Sequence, residues 1–252
     1  MRLPDAFLSR PIAHRALHDR DAGRPENGRA AMRAAIERGY GIECDLQLSA
    51  DGVAMVFHDD ELMRLTGEDG PLRGRTASAL GKLKLRHGDE GVPTLREVLD
   101  LVAGRVPLLI EVKDQTHRLA PVDGVLEEAT ARELRGYEGP VALMSFNPHS
   151  VIALRDLAPE VPRGLTTCDF DPSDHEWAPA GPERLEHLRR IEDYDAAGAC
   201  FISHQASDLR RPRVAELKAQ GAAVLCWTIR SAEQERLARA VADNVTFEGY
   251  LA

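Results

Sequence analysis

Strand-like and helix-like runs alternate from one end of this chain to the other, and that rhythm limits the fold more than any other feature. Pro11 to His14 reads as a short strand and Asn27 to Arg38 as an Ala-rich helix ended by Gly39. Gly41 to Leu48 is a strand, and after Asp51-Gly52 a second extended run spans Val53 to His58. Thr94 to Ala103 has helical periodicity between Pro93 and Gly104. Pro107 to Val112 is a near-continuous apolar run, as a strand covered on both faces requires. Helices are then expected at Val122 to Leu134, Pro148 to Leu157, Pro182 to Ala197, Pro212 to Gln220 and Ala232 to Ala240. Strands between them fall at Val141 to Phe146, Arg163 to Thr167, Cys200 to Ser203, Ala222 to Ile229 and Asn244 to Phe247. Eight β/α units in 252 residues match the size and rhythm of a (β/α)8 TIM barrel. A doubly wound open sheet would have fewer strands and a Gly-rich first turn. The expectation is therefore an α/β chain forming a single barrel domain over residues 1–252. One segment, about 59–92, is rich in Gly, Arg and Asp and lacks periodicity, so it reads as an insertion after the second strand, on the catalytic face.

Side chains on a strand alternate, so residues two apart share a face. Glu43 and Asp45 therefore point together while Cys44 points to the helical shell. Glu111 and Lys113 share a face, as do Val56 and His58, and so do Leu225, Trp227 and Ile229, with Cys226 opposite. Together with His14-Arg15, these charged groups each end an apolar run, where an isolated charge would be costly. Four such ends meeting at the C-terminal mouth of a barrel point to one site rather than scattered ion pairs.

Charge arithmetic then asks for a cation. Glu43, Asp45 and Glu111 would place three negative charges in one pocket, and like charges resist joint ionisation. A divalent ion with Arg15 and Lys113 brings the pocket to about +1, matched to a phosphodiester. All-oxygen ligands favour a hard ion, Mg²⁺ or Ca²⁺. The two histidines are an alternative source of ligands, although carboxylate-rich sites seldom need imidazole for such an ion. A net charge of −9 with no Lys/Arg run argues against a nucleic-acid partner. Cys44, Cys168, Cys200 and Cys226 lack C-x-x-C spacing and read as buried thiols of a reducing compartment. No apolar h-region with a cleavage site opens the chain, and no run reaches the roughly 18 apolar residues of a bilayer span. A cytoplasmic protein without membrane insertion is expected.

The stretches Ala13-His14-Arg15, Pro25-Glu26-Asn27, Ile42-Glu43-Cys44-Asp45, Asp51-Gly52 and His58-Asp59 resemble the glycerophosphodiester phosphodiesterase family. So do Arg64-Leu65-Thr66-Gly67, Pro93-Thr94-Leu95, Ile110-Glu111-Val112-Lys113, Ser145-Phe146 and Trp227-Thr228. The resemblance implies a barrel with a small insertion and a metal-dependent hydrolase that splits glycerophosphodiesters into sn-glycerol 3-phosphate and an alcohol. By position, Glu43, Asp45 and Glu111 resemble the metal ligands, His14 and His58 the acid/base pair, Arg15 and Lys113 the phosphate contacts, and Trp227 an aromatic wall. Two positions depart from the family pattern. Ala16 stands where the family usually has Gly, at a cost on the order of 1 kcal/mol if φ is positive there. Thr246-Phe247-Glu248 replaces a common Thr-Asp ending.

The competing readings are a phospholipase-type phosphodiesterase acting on lipid head groups and a non-catalytic glycerophosphate-binding protein. The first would call for an amphipathic or basic membrane-facing segment, which the sequence lacks. The second needs no proton-transfer pair. His18 and His117 are candidates for the mouth and His87 for substrate contact from the insertion. His149, His175, His187 and His204 are placed at the surface or in loops.

Overall fold

The computed structural model describes residues 1–175 and 177–252. In chain order the elements are α1 (Ala6–Ser9), β1 (Ile12–Ala13), α2 (Arg29–Arg38), β2 (Gly41–Leu48), β3 (Ala54–Val56), α3 (Met63–Thr66), α4 (Ala77–Leu80), α5 (Leu95–Val102) and β4 (Leu108–Val112). They continue as α6 (Val125–Leu134), β5 (Val141–Ser145), α7 (Pro148–Leu157), β6 (Arg163–Thr167), α8 (Pro182–Arg189) and β7 (Phe201–Gln205). The chain ends with α9 (Pro212–Ala219), β8 (Ala223–Ile229), α10 (Ala232–Ala238) and β9 (Asn244–Phe247). Among these residues eight parallel strands, all but β3, close into a barrel in which β1 pairs with both β2 and β9. β3 runs antiparallel along β2 and leads into the insertion. The fold is a (β/α)8 barrel.

Two apolar layers follow from strand parity. Cys44, Ile110, Val224 and Cys226 face outward and pack with α2, α5, α6 and α9 in a large shell. Ile12, Leu109, Met144, Phe201 and Leu225 belong to a second cluster, which Leu3 and Phe7 join from the N-terminal segment. All four cysteines are buried. The insertion has its own apolar centre, in which Leu62, Leu65, Leu72, Leu80, Leu85 and Val92 pack against Met55 of β3 and Phe57 just after it. It is thus a packed unit lacking a single period, because its helices are only four residues long.

Local signals explain several boundaries. Thr94 and Glu97 form a reciprocal capping box that starts α5. Gly39 closes α2 at φ 70°. The helix expected over 182–197 ends instead at Arg189. Beyond it Ile191 adopts φ 51°, and the chain folds back so that Glu192 and Asp193 meet His187 at 3.0 Å and 2.8 Å. Two parity expectations also fail. In β8 a register shift between Cys226 and Ile229 inserts one residue, so Ile229 joins the outer shell while Trp227 faces the cavity. β3 ends at Val56, which packs in the outer shell, so His58 reaches the cavity from a turn rather than from Val56's strand face. Among the described residues no helix is long and apolar enough to cross a membrane.

Candidate active site

The chain leaves β1 through a tight turn in which Arg15 and Ala16 both take positive φ, 52° and 65°. This conformation turns the Arg15 backbone N–H onto Glu43, whose Oε2 accepts it at 2.8 Å. The Ala16 N–H is bonded to the Glu43 carbonyl at 3.0 Å. Parallel register sets Asp45 directly opposite Glu111, and parity places Glu43 on the same face as Asp45. One oxygen from each of Glu43, Asp45 and Glu111 lies within 4.8 Å of the others, and all three side chains are buried.

Electrostatics at this cluster are divided. Lys113 donates to Asp45 at 2.8 Å and to Glu111 at 2.5 Å. Burial pulls the Asp45 pKa upward, but Lys113, His58 and Arg15 outweigh it and hold Asp45 below the usual carboxylate range. Burial pushes Glu43 well above that range, with Asp45 and Glu111 adding to the effect. Glu111 is also raised by burial, despite Lys113. The Glu43 Oε1 atom is buried and has no hydrogen-bond partner. An unpaired buried carboxylate oxygen facing two more carboxylates is chemically suited to a hard cation. Asn27, at φ 58°, orients the cluster from the side: its Nδ2 donates to Asp45 Oδ2 at 2.9 Å.

Two histidines flank the carboxylates, and each ring has a carboxylate at Nδ1. His14 Nδ1 lies 2.6 Å from Glu248 Oε2, and His58 Nδ1 lies 2.7 Å from Asp59 Oδ1. In the neutral rings these contacts assign the proton to Nδ1, which leaves Nε2 as a proton acceptor. Burial lowers the pKa of both rings, with Lys113 adding to the shift at His58. Burial alone would raise Glu248, but the bonds from His14 and His18 and the charge of Arg230 hold it far below its ordinary value. The Arg230 Nε donates to Glu248 at 2.8 Å.

A cavity of about 210 Å³ unites these groups: His14, Arg15, Glu43, Asp45, His58, Glu111, Lys113 and Trp227 all line it. A larger space of about 550 Å³ adjoins it through His58, Glu111, Lys113, Phe146 and Trp177. Every side chain singled out from the sequence for the site is therefore at one place. His117 lies on the rim, 3.0 Å from Asp60. His18 sits behind His14, 3.6 Å from Glu248. His175 lines the larger space, while His87 is exposed and lines neither. His204, placed at the surface from the sequence, is fully buried on β7 between Thr167 and Asp208. It sits there because its alternate-face position points into the helical shell, where Asp208 supplies a partner.

The sequence model of the glycerophosphoryl diester phosphodiesterase family matches residues 14–247. The chain belongs to that family. A glycerophosphodiester phosphodiesterase from Caldanaerobacter subterraneus is 34% identical over 151 residues, which cover 56% of this chain and 60% of that protein. The match thus spans under two thirds of that relative's length. One from Bacillus altitudinis is 30% identical over 171 residues, 64% of this chain and 68% of its own. Among solved structures, a phosphodiesterase of Oleispira antarctica in complex with the product sn-glycerol-3-phosphate superposes with a TM-score of 0.72 at 28% identity. That likeness covers 96% of this chain and 94% of the other.

Sequence reasoning gave no role to several residues of this family member's site. Glu248 appeared only as a departure, yet it is the partner of His14. Asp59 and Glu26 stand within the His58-Asp59 and Pro25-Glu26-Asn27 stretches, which by themselves assign them no function. Trp177, absent from any motif, packs its ring 4.9 Å from Phe146, which stands 5.4 Å from Trp227. Adjacent charge in His58-Asp59 was a readable signal. For Trp177, in a loop after β6, no local signal existed.

Proposed function

We propose that this protein is a metal-dependent phosphodiesterase that hydrolyses glycerophosphodiesters to sn-glycerol 3-phosphate and an alcohol. The observation that carries this reading is the three-carboxylate cluster with a His–carboxylate pair on either side, in one cavity. Family membership supports the reaction class, and the product held by the Oleispira relative supports the glycerophosphate half of the substrate.

Glu43, Asp45 and Glu111 would hold the ion, Mg²⁺ or Ca²⁺, and the orphaned Glu43 oxygen fits that assignment. When bound, such an ion polarises phosphoryl oxygens and offsets their charge. Arg15 and Lys113 bind the phosphodiester from the cavity wall. One histidine takes a proton from the attacking water at its free Nε2, and the other, protonated on Nε2 at the start, delivers that proton to the departing alcohol as the P–O bond breaks. Each transfer contributes roughly 10² to 10⁴-fold in rate. Glu248 and Asp59 orient both rings through Nδ1–H; the base then acts from an unprotonated Nε2, and the acid carries a second proton on Nε2 as an imidazolium whose charge its carboxylate balances. Trp227, fixed by its Nε1–H on the Ser203 carbonyl at 2.9 Å, forms an apolar wall. A binder without turnover would have no use for two rings so prepared.

Incubation with glycerophosphocholine, with and without Mg²⁺ or Ca²⁺, is the test. Release of sn-glycerol 3-phosphate only with metal is expected. His14→Ala and His58→Ala should each lose at least about 10²-fold in kcat with metal affinity retained. Near-normal turnover in either variant would refute the acid/base assignment.

A further inference from the structure

On the hydrolase reading above, we propose that Arg64 of the insertion is a positioning residue that ties the proton-transfer half of the site to its phosphate-binding half. The Arg64 Nε donates to Asp59 Oδ2 at 2.6 Å, and Nη2 donates to Asp59 Oδ1 at 2.7 Å. On the other edge Nη1 and Nη2 donate to the two oxygens of Glu26, both at 2.8 Å. Asp59 Oδ1 is the atom that holds His58, and Glu26 Oε1 is the atom that holds Arg15, at 2.7 Å. One guanidinium nitrogen therefore touches both oxygens on which the two halves of the site hang. The result is an unbroken chain, His58–Asp59–Arg64–Glu26–Arg15, whose two ends line the reaction cavity while Arg64 stands behind it.

A surface ion pair is ordinarily worth little, and the Arg64 side chain is 41% exposed. Its partners differ: Glu26 is 9% and Asp59 21% exposed, and each is gripped through two oxygens. Two carboxylates that face each other across one cation repel when it is removed, and each then loses two of its directional bonds. Lysine offers a point charge and cannot fork across both edges. Arg64 is itself held in place, because Leu62 and Leu65 beside it pack into the apolar centre of the insertion and Gly67 ends α3 at φ 83°. Arg64 thus couples the packed centre of the insertion to both halves of the site.

Steady-state hydrolysis of glycerophosphocholine with Mg²⁺, together with calorimetric binding of sn-glycerol 3-phosphate, tests this. Arg64→Gln should lower kcat by roughly 10- to 100-fold, as a small misplacement of reacting groups does, and should also raise KM and weaken product binding. Arg64→Lys should recover little of either. Glu26→Gln should act chiefly on KM and product binding through Arg15, and Asp59→Asn chiefly on kcat through His58. In the Arg64→Gln/Glu26→Gln double variant, product binding should be no weaker than in Arg64→Gln alone. Wild-type kcat, KM and product affinity in Arg64→Gln would overturn the proposal. So would a lowered melting temperature with unchanged kinetics, the signature of a merely structural arginine. If Arg64→Gln does not fold, the division of effects between Glu26→Gln and Asp59→Asn decides; effects on the same parameter would overturn it. A wild-type protein that releases no product fails the hydrolase reading instead, and product binding then still tests the Arg15 end of the chain.

Discussion

Ala16 shows how single-residue costs offset one another. Its φ of 65° costs about 1–2 kcal/mol for an alanine, while its methyl, 2% exposed, recovers about 0.8 kcal/mol by burial. A glycine there would shed the strain but lose the methyl and gain unfolded-state freedom worth about 0.4–1 kcal/mol. Ala16→Gly should therefore lie within about 1 kcal/mol of wild type in urea denaturation. Ala35→Gly, equally buried but inside α2, has no strain to relieve and should cost about 2 kcal/mol. Glu26 carries a second consequence at this scale. Burial would raise its pKa, but the bonds from Arg64 and the charge of Arg15 lower it from 4.5 to about 2. A depressed folded-state value gives stability that is complete above pH of about 4.5 and lost as pH falls through about 2. Stability measured across that window should fall more steeply for wild type than for Glu26→Gln; parallel curves would contradict the assigned interaction. The carboxylates and histidines were legible in the sequence because each ended an apolar run, where charge needs a reason. Glu248 and Glu26 were not, because their partners lie 234 and 38 positions away and no local pattern encodes such contacts.

Elements were legible where one period governs them and illegible where a side-chain contact overrides it. β2, α7, β6 and β9 fall where alternation and apolar spacing put them. The end of α8 does not, since His187 trades helix continuation for two acidic partners. The bulge in β8 leaves no mark in composition, yet it decides which residues after Cys226 see the cavity. β6 offers the sharpest test of strand packing. A Cβ at Gly164 would stand 2.5 Å from the ring of Phe201 on the neighbouring strand and 2.6 Å from its backbone oxygen. A side chain there must displace the strand backbone as well as an aromatic ring that is fully buried. Gly164→Ala should cost about 1–3 kcal/mol or more, as overpacking does, read as a lower denaturation midpoint at unchanged slope. Wild-type stability in that variant would mean that β6 and β7 pack more loosely than this register demands.

At the scale of the whole molecule, the site is a meeting of distant parts. Two carboxylates come from β2 and one from β4, while His14 follows β1 and is held by Glu248 after β9, where the barrel closes on itself. Three carboxylates crowded at one locus work against folding unless a cation shares them, and Lys113 and Arg15 answer only part of that demand. An ion bound only by the folded state must stabilise the barrel globally, by about 2.7 kcal/mol at 100 times its dissociation constant. For a chain of this length that corresponds to a rise of about 5–10 °C in melting temperature on adding Mg²⁺ or Ca²⁺ to chelator-treated protein. Glu43→Gln separates this effect from nonspecific salt. Burial with Asp45 and Glu111 already pushes Glu43 towards its protonated form, which the amide mimics. The variant should melt near wild type in chelator but lose most of the metal-induced rise. Equal rises in both proteins would place the ion elsewhere, and no rise in wild type would remove the cation from the site altogether.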